Sequence, residues 1–400
     1  MATLLLLIIY LIFISLGLPD SLVASSWPAI SQSLEISADF QGILTFVISL
    51  CTIISSFLTA KLVKWFTAKG VVLISILLTA IGLICISYSL NFALIVVSAI
   101  PLGLGAGAID STLNNYVAIN YKAIHLNWLH AFWGVGASIS PLICGAFLTD
   151  INGWRNGALC LAIIQSCIWL ICVASIKVWK KAEIEFESRK TEATEEEQKI
   201  NTSFLKTFKL RGVIPALIGF FCYIAIEQTT ANWFSSMVVF NMGVAENTAA
   251  NWAALFYVGI MVGRLLSGVV SLKINDKNLI RIGEGIILVG LILMCMQFNV
   301  YIMTVALVLI GFGCAPIYPA IIHSTPNRFT VEHSQSVMSI QMGFAYIANV
   351  TFAPLFGVIG KNTTFLILPY VIIGVLILSV VSNELVNKLT QNNQKKEIAK

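Results

Sequence analysis

Three carboxylates stand where an apolar chain has least use for them: Asp20 in "GLPDSLVASSWP", Asp110 in "GLGAGAIDSTLNNYV" and Glu227 in "EQTTANW". An ionised acid at the centre of a bilayer costs about 3 kcal/mol on insertion scales. Such a group is therefore either interfacial or working. Asp110 lies twelve positions before Lys122, the first basic residue after it, or about 18 Å along a helix. That distance predicts a mid-membrane position. Asn114, four residues on, shares its helical face. Gly103, Gly105 and Gly107 leave room for close helix approach. The pattern describes a helix lining a cavity, with an Asp–Asn pair that only locks helices together as the alternative. Asp20 follows Leu4 by sixteen residues. It is an interfacial acid if the helix stops at Leu22, and a buried functional group if "SLVASSWPAI", uncharged up to Glu35, continues it. Glu227 stands sixteen residues beyond Arg211 with Gln228, Asn232 and Trp233 close by. Glu284 differs, because Arg281 precedes it by one turn, and a surface ion pair is expected there.

Around these acids the chain holds the parts of a polyol site. Sugar hydroxyls call for amides and carboxylates, and the C–H faces of the ring call for aromatic surfaces. Asn114, Asn115, Gln228, Asn232, Gln341 and Asn349 can supply the amides, and Trp27, Trp128, Trp133, Trp233 and Tyr318 the aromatic faces. His130, opening "HAFWGVG", is either a proton relay or an interfacial residue. His125, His323 and His333 fall in loops or span ends, where no special role is needed. No G-x-x-x-x-G-K-[ST], H-E-x-x-H, C-x-x-C or Ser–His–Asp pattern appears, which argues against ATP-driven pumping and against an enzyme. None of the nine cysteines has metal-ligand spacing, so no metal or organic cofactor is expected.

The elements that position these groups must be membrane spans. Apolar residues make up 58% of the chain and charged residues 11%, with a mean hydropathy of +0.89. A soluble domain carries about a quarter charged residues, so the chain has too little polar surface to face water. The net charge of +5 is spread over short loops and a tail, which does not describe a nucleic-acid surface. No basic start and small-residue cleavage site marks a removable leader. A span needs about 20 apolar residues, which predicts twelve: 4–27, 42–64, 71–89, 92–118, 128–149, 156–179, 211–239, 247–270, 279–297, 299–323, 334–359 and 363–385. Lys61, Lys64, Lys69, Lys122, Lys177, Lys180, Lys181, Lys273, Lys277, Arg281 and Arg328 fall on one side, against Arg155 and Lys361 on the other. The bias predicts cytoplasmic termini in a multi-pass protein of the cell membrane.

Six spans (1–179), a charged cytoplasmic linker (180–210), six more spans (211–386) and a disordered basic tail (387–400) suggest a doubled unit. "DSLVASSW" returns as "EQTTANW", "GLGAGAID" as "GFGCAPIY", and "SPLICG" as "APLFG". The fold class expected is an all-α integral membrane protein of two pseudo-symmetric six-helix bundles, as in major facilitator transporters. The expected partners are a small-molecule solute and the lipid bilayer, with the chain a monomer.

"GLGAGAIDSTLNNYV", "HAFWGVGASISPLICG", "GFGCAPIYPAIIHSTP" and "VGRLLSG" together resemble the fucose–proton symporter family of the major facilitator superfamily over nearly the whole chain. The resemblance implies that Asp110 is the proton-coupling acid, Asp20 the first-helix acid touching substrate, and Asn114 the fourth-helix asparagine. It departs from the family in having Asp where the fucose symporter has Glu, and Asn115 in place of a proline. The loop "AKLVKWFTAKG" also lacks the acid of the general superfamily loop motif. The substrate set expected is Asp20, Asn114, Asn115, Glu227, Gln228, Asn232, Trp233, Trp27, His130, Tyr318, Gln341 and Asn349. The function expected is proton-coupled uptake of a small hydroxylated solute by alternating access, with Na+ as the other possible coupling ion. One charge moved through 100 mV supplies about 2.3 kcal/mol, which supports roughly a 40-fold gradient at about 1.4 kcal/mol per tenfold. Two rivals remain open. "GASISPLICG" partly matches an antiporter pattern, which would mean proton-coupled efflux of amphiphiles, and the linker could serve a transporter-fold sensor.

Overall fold

The computed structural model of the chain describes residues 2–121, 124–150, 152–190, 207–297 and 299–398. Lys122, residues 191–206 of the expected linker and the tail's last two residues lie outside them. Every regular element among the described residues is helical: α1 (Ala2–Asp20), α2 (Leu22–Ser33), α3 (Phe40–Ser87), α4 (Phe92–Asn120), α5 (Ile124–Phe147), α6 (Gly153–Ala174) and α7 (Ile176–Lys190) come first. After them come α8 (Val213–Met242), α9 (Glu246–Val270), α10 (Asp276–Cys295), α11 (Val300–Cys314), α12 (Ile317–Asn362), a 3-10 turn (Phe365–Ile367) and α13 (Leu368–Ile398).

Eleven stretches among the described residues are long and apolar enough to cross a bilayer. One of them, α3, has 48 residues, about 72 Å of helix against about 30 Å of hydrocarbon. It breaks at Thr67, whose φ of 63° and ψ of 164° are not helical. Both of its halves lie against α4: a Cβ at Gly103 or Gly107 would meet the carbonyls of Ile48 and Thr52, and one at Gly105 the carbonyl of Ser75. The chain therefore turns back at Thr67, and α3 makes two passes. That restores the twelve spans the sequence predicts. Two other spans are interrupted. The first comprises α1 and α2, and the tenth runs from α11 into the start of α12.

The chain divides into two compact units, Met1–Glu196 with Ser235–Tyr257, and Glu197–Phe234 with Val258–Lys400. The core of the first gathers Leu5, Ile9, Phe13, Trp27, Ile76, Leu83, Ile109, Leu113, Trp154 and Leu161. In the second, Val213, Leu217, Phe329, Val337, Ile340 and Val386 pack together. Large apolar side chains also point outward, among them Phe57, Leu90, Val97, Val269 and Leu272. In water such a surface would be a liability. In lipid it is the solvated face. Helix α13 runs on to Ile398, where the sequence predicts a disordered tail. "QNNQKKEI" contains neither Pro nor Gly, so nothing local stops the helix.

Candidate functional site

Asp20 stands at a break in the first span. Pro19, without an N–H, cannot take its place in the helical ladder, and α1 ends one residue later while α2 resumes at Leu22. Ser21 bridges the gap by donating its hydroxyl to the Ala137 carbonyl at 2.8 Å. Thirteen residues follow Asp20 before the end of α2, and all of Leu22–Ser31 is buried. That is about 20 Å of further helix, so the interfacial reading of Asp20 does not hold. Unpaired backbone groups at such breaks are where membrane transporters hold polar ligands.

Close packing fixes the carboxylate against α5. A Cβ at Gly17 would lie 2.2 Å from the Trp133 carbonyl oxygen, and one at Gly136 would lie 2.0 Å from that of Ile14. Only glycine permits this approach, and it brings the Trp133 indole N–H to donate to Asp20 Oδ2 at 2.7 Å. The Trp133 ring in turn meets Tyr257 edge-on at 6.1 Å. Asp20 remains accessible although neighbouring helices crowd it.

Asp110 lies ten residues before the end of α4, about 15 Å in. Asn114 Nδ2 donates to its Oδ1 at 2.9 Å and to its backbone carbonyl at 3.0 Å. The two acids are near enough for their like charges to interact. Among the described residues no basic side chain pairs with either. Two carboxylates with neutral partners and no counter-cation can accept a cation or a proton. His130 is half-buried, edge-on to Phe13 at 6.0 Å. Asn115 is exposed and off the face that Asp110 and Asn114 share. Trp128 clusters with Tyr10 and His125 rather than with the acids.

In the second unit Glu227 sits at the middle of α8 and is buried. Tyr223, one turn earlier, donates its hydroxyl to Glu227 Oε2, and Gln228 Nε2 stands 3.5 Å from Oε1. The Tyr223 ring lies 6.4 Å from Tyr318, whose hydroxyl reaches Met342 Sδ at 3.7 Å. Arg264 is near enough for its charge to act on Tyr223 and on Cys314. Sequence reasoning missed Tyr223, although its i−4 spacing from an acid was a legible signal. Asn232 donates to the Gln228 carbonyl at 2.7 Å, and Gln341 accepts from Thr325 at 3.2 Å and is buried. Asn349 is half-buried.

Two expected substrate contacts are corrected. Trp27 is fully buried, with its indole N–H on the Ala38 carbonyl at 2.7 Å and its ring edge-on to Phe92. Trp233 is equally buried, donates to the Ala353 carbonyl at 2.8 Å, stacks on Phe365 and presses on Gly357. Neither ring has a free face, so both pack helices. The echo between "SSW" and "ANW" thus repeats a packing device. Glu284 is also corrected. The stripe Ile280, Gly283, Glu284, Ile287 and Leu291 is the buried face of α10, whereas Arg281 faces outward and pairs bidentately with Glu384 at 2.7 Å.

Comparison with known proteins agrees with this architecture. The glucose/mannose transporter GlcP of Bacillus subtilis (strain 168) is 26% identical over 231 residues, 56% of this chain and 55% of that protein. The match thus spans only about half the length of that relative. A bacterial homolog of the human lysosomal transporter Spinster superposes with a TM-score of 0.74 at 12% identity, over 98% of both chains. The xylose transporter XylE of E. coli superposes with a TM-score of 0.73 at 12% identity, over 99% of both. At such identities the structures speak for the fold alone. The family model of the Major Facilitator Superfamily matches residues 9–250 and again 216–397. The chain therefore belongs to the Major Facilitator Superfamily.

Proposed function

We propose that the protein is a secondary transporter that takes up a sugar or another small polyhydroxylated solute together with protons, by alternating access. The observation that carries this reading is the pair Asp20 and Asp110 in the first unit, near enough for their charges to interact, with neutral hydrogen-bond partners and no basic partner among the described residues. Asp110 is assigned the proton, because it is the less exposed of the two and Asn114 is its hydrogen-bond partner among the described residues. Asp20 is assigned the solute, because its carboxylate is the accessible one. Glu227, Gln228, Tyr223 and Tyr318 are the candidate contacts of the second unit. The relative GlcP, named a glucose/mannose transporter, and XylE, named a xylose transporter, support a sugar as the solute class. Support for the finer kinship with fucose–proton symporters rests on the fourth-span acid with its asparagine one turn on. Cytoplasmic termini, from the lysine and arginine bias, and a monomeric chain complete the reading.

The test is transport of a panel of radiolabelled sugars in vesicles at varied pH and sodium. Asp110→Asn is expected to abolish accumulation against a gradient while solute exchange continues. Concentrative uptake by Asp110→Asn would refute the assignment. Uptake that follows sodium at constant pH would replace the proton, and loading of everted vesicles with amphiphiles would replace uptake by efflux.

A further inference from the structure

Among the described residues, one buried acid lies outside the candidate transport site. Glu284 is 5% exposed, and its helix α10 packs on α11, α12 and α13. It lies eight residues after Asp276, about 12 Å along the helix. Its Oε1 accepts from Ser379 Oγ at 2.8 Å and from Asn383 Nδ2 at 2.8 Å, both on α13. Asn383 also reaches Ser379 Oγ at 3.4 Å. On its other side Asn383 faces Gly219 of α8, where a Cβ would stand 2.9 Å from Asn383 Oδ1. The carboxylate thus joins α10 to α13 through two neutral donors, and one of those donors, Asn383, backs onto α8.

The charged neighbours are otherwise engaged. On its own helix Arg281 is committed to Glu384, an acid of α13 that adds like charge nearby. From α8 the titratable neighbour is Cys222. From α12, His323 is paired with Asp276 at 2.8 Å, and Arg328 donates to Asn387 at 3.1 Å. The sequence of α11, Val300–Cys314, contains no charged residue. The Arg281 charge acts on Glu284 from a distance, but among the described residues no basic side chain forms an ion pair with it.

We propose that Glu284, with Ser379 and Asn383, is a second proton-binding site, separate from Asp20 and Asp110, that loosens the joint between α10 and α13 when it is occupied. The ionised carboxylate accepts two charge-assisted bonds, roughly twice as strong as neutral ones. A proton on Oε2 removes that charge, and the two bonds to Oε1 become ordinary neutral ones, about half as strong. The joint weakens at the point where Asn383 backs α8, the helix that carries Glu227. This site stands on its own geometry and does not depend on which solute is carried.

The test needs no solute. Infrared difference spectra of the full-length protein in lipid nanodiscs, recorded across a pH titration, report each carboxylic acid by its protonated carbonyl band. Glu284→Gln is expected to lose one titrating band that Asp110→Asn retains. Ser379→Ala, which removes a donor that stabilises the ionised form more than the protonated one, is expected to keep that band with its midpoint displaced upward. Thermal unfolding gives a second readout: the difference in midpoint between wild type and Glu284→Gln should vanish as the pH falls and Glu284 becomes neutral. A Glu284→Gln titration identical to wild type, or a thermal difference constant with pH, would overturn the proposal. Either result leaves the sugar-uptake reading untouched, and failed uptake would leave this site untouched.

Discussion

Trp133→Phe isolates the contact on which the role of Asp20 depends. The substitution keeps an aromatic ring beside Tyr257, 6.1 Å away, and removes the indole N–H that donates to Asp20 Oδ2 at 2.7 Å. Hydrogen bonds to charged groups contribute about 1.5–3 kcal/mol. Because the Asp20 side chain is accessible, water can replace part of the lost donor, and the lower end applies. About 1.5 kcal/mol is roughly a tenfold change in an equilibrium constant. If Asp20 holds the solute throughout the cycle, that loss falls on binding and leaves the maximal rate largely unchanged. The assay is the concentration dependence of solute exchange in proteoliposomes. It should show the half-saturating concentration rising about tenfold with the plateau preserved. Curves superimposable on wild type would mean that the Asp20–Trp133 contact only packs helices, and Asp20 would leave the substrate set.

Tyr223→Phe should raise the half-saturating concentration of the same exchange, because Glu227 loses the phenol that orients it. An unchanged value would remove Glu227 from the solute contacts. Gly107→Leu should lower thermal stability sharply, since a Cβ there already lies 2.2 Å from the Thr52 carbonyl and overpacking costs about 1–3 kcal/mol. A melting temperature within experimental error of wild type would argue that α3 and α4 separate freely. Trp233→Phe should destabilise the protein through the lost indole bond to the Ala353 carbonyl while sparing solute affinity, as unfolding and exchange measured on one preparation will show. Arg281→Ala should be nearly silent in unfolding at physiological salt, because its pair with Glu384 is half-exposed.

The number of spans was legible because a bilayer imposes a length, about 20 apolar residues, that composition alone reveals. Helix ends were less legible. In α12 the backbone stays helical through the polar turn between two spans, whereas in α3 it breaks at Thr67, and hydropathy records the loss of apolar residues in both places without telling the two apart. The acids divide along the same line. The depth of Asp110 followed from its distance to the nearest basic residue, which is a property of the chain. The surroundings of Glu284 did not, because the i to i+3 relation to Arg281 suggested a partner while the rotation of α10 gave each residue a different neighbour on α13. Trp27 and Trp233 teach the same lesson, since a tryptophan beside polar residues in sequence need not share their face. What one helix holds within a turn can be read from spacing, whereas what it meets across an interface depends on a rotation that apolar sequence leaves nearly unspecified. The glycines are the exception that limits this indeterminacy. At Gly17 and Gly136 only one pairing of faces lets the backbones approach so closely, and that pairing brings Trp133 to Asp20. The small residues thereby position the acid that the long apolar run conceals.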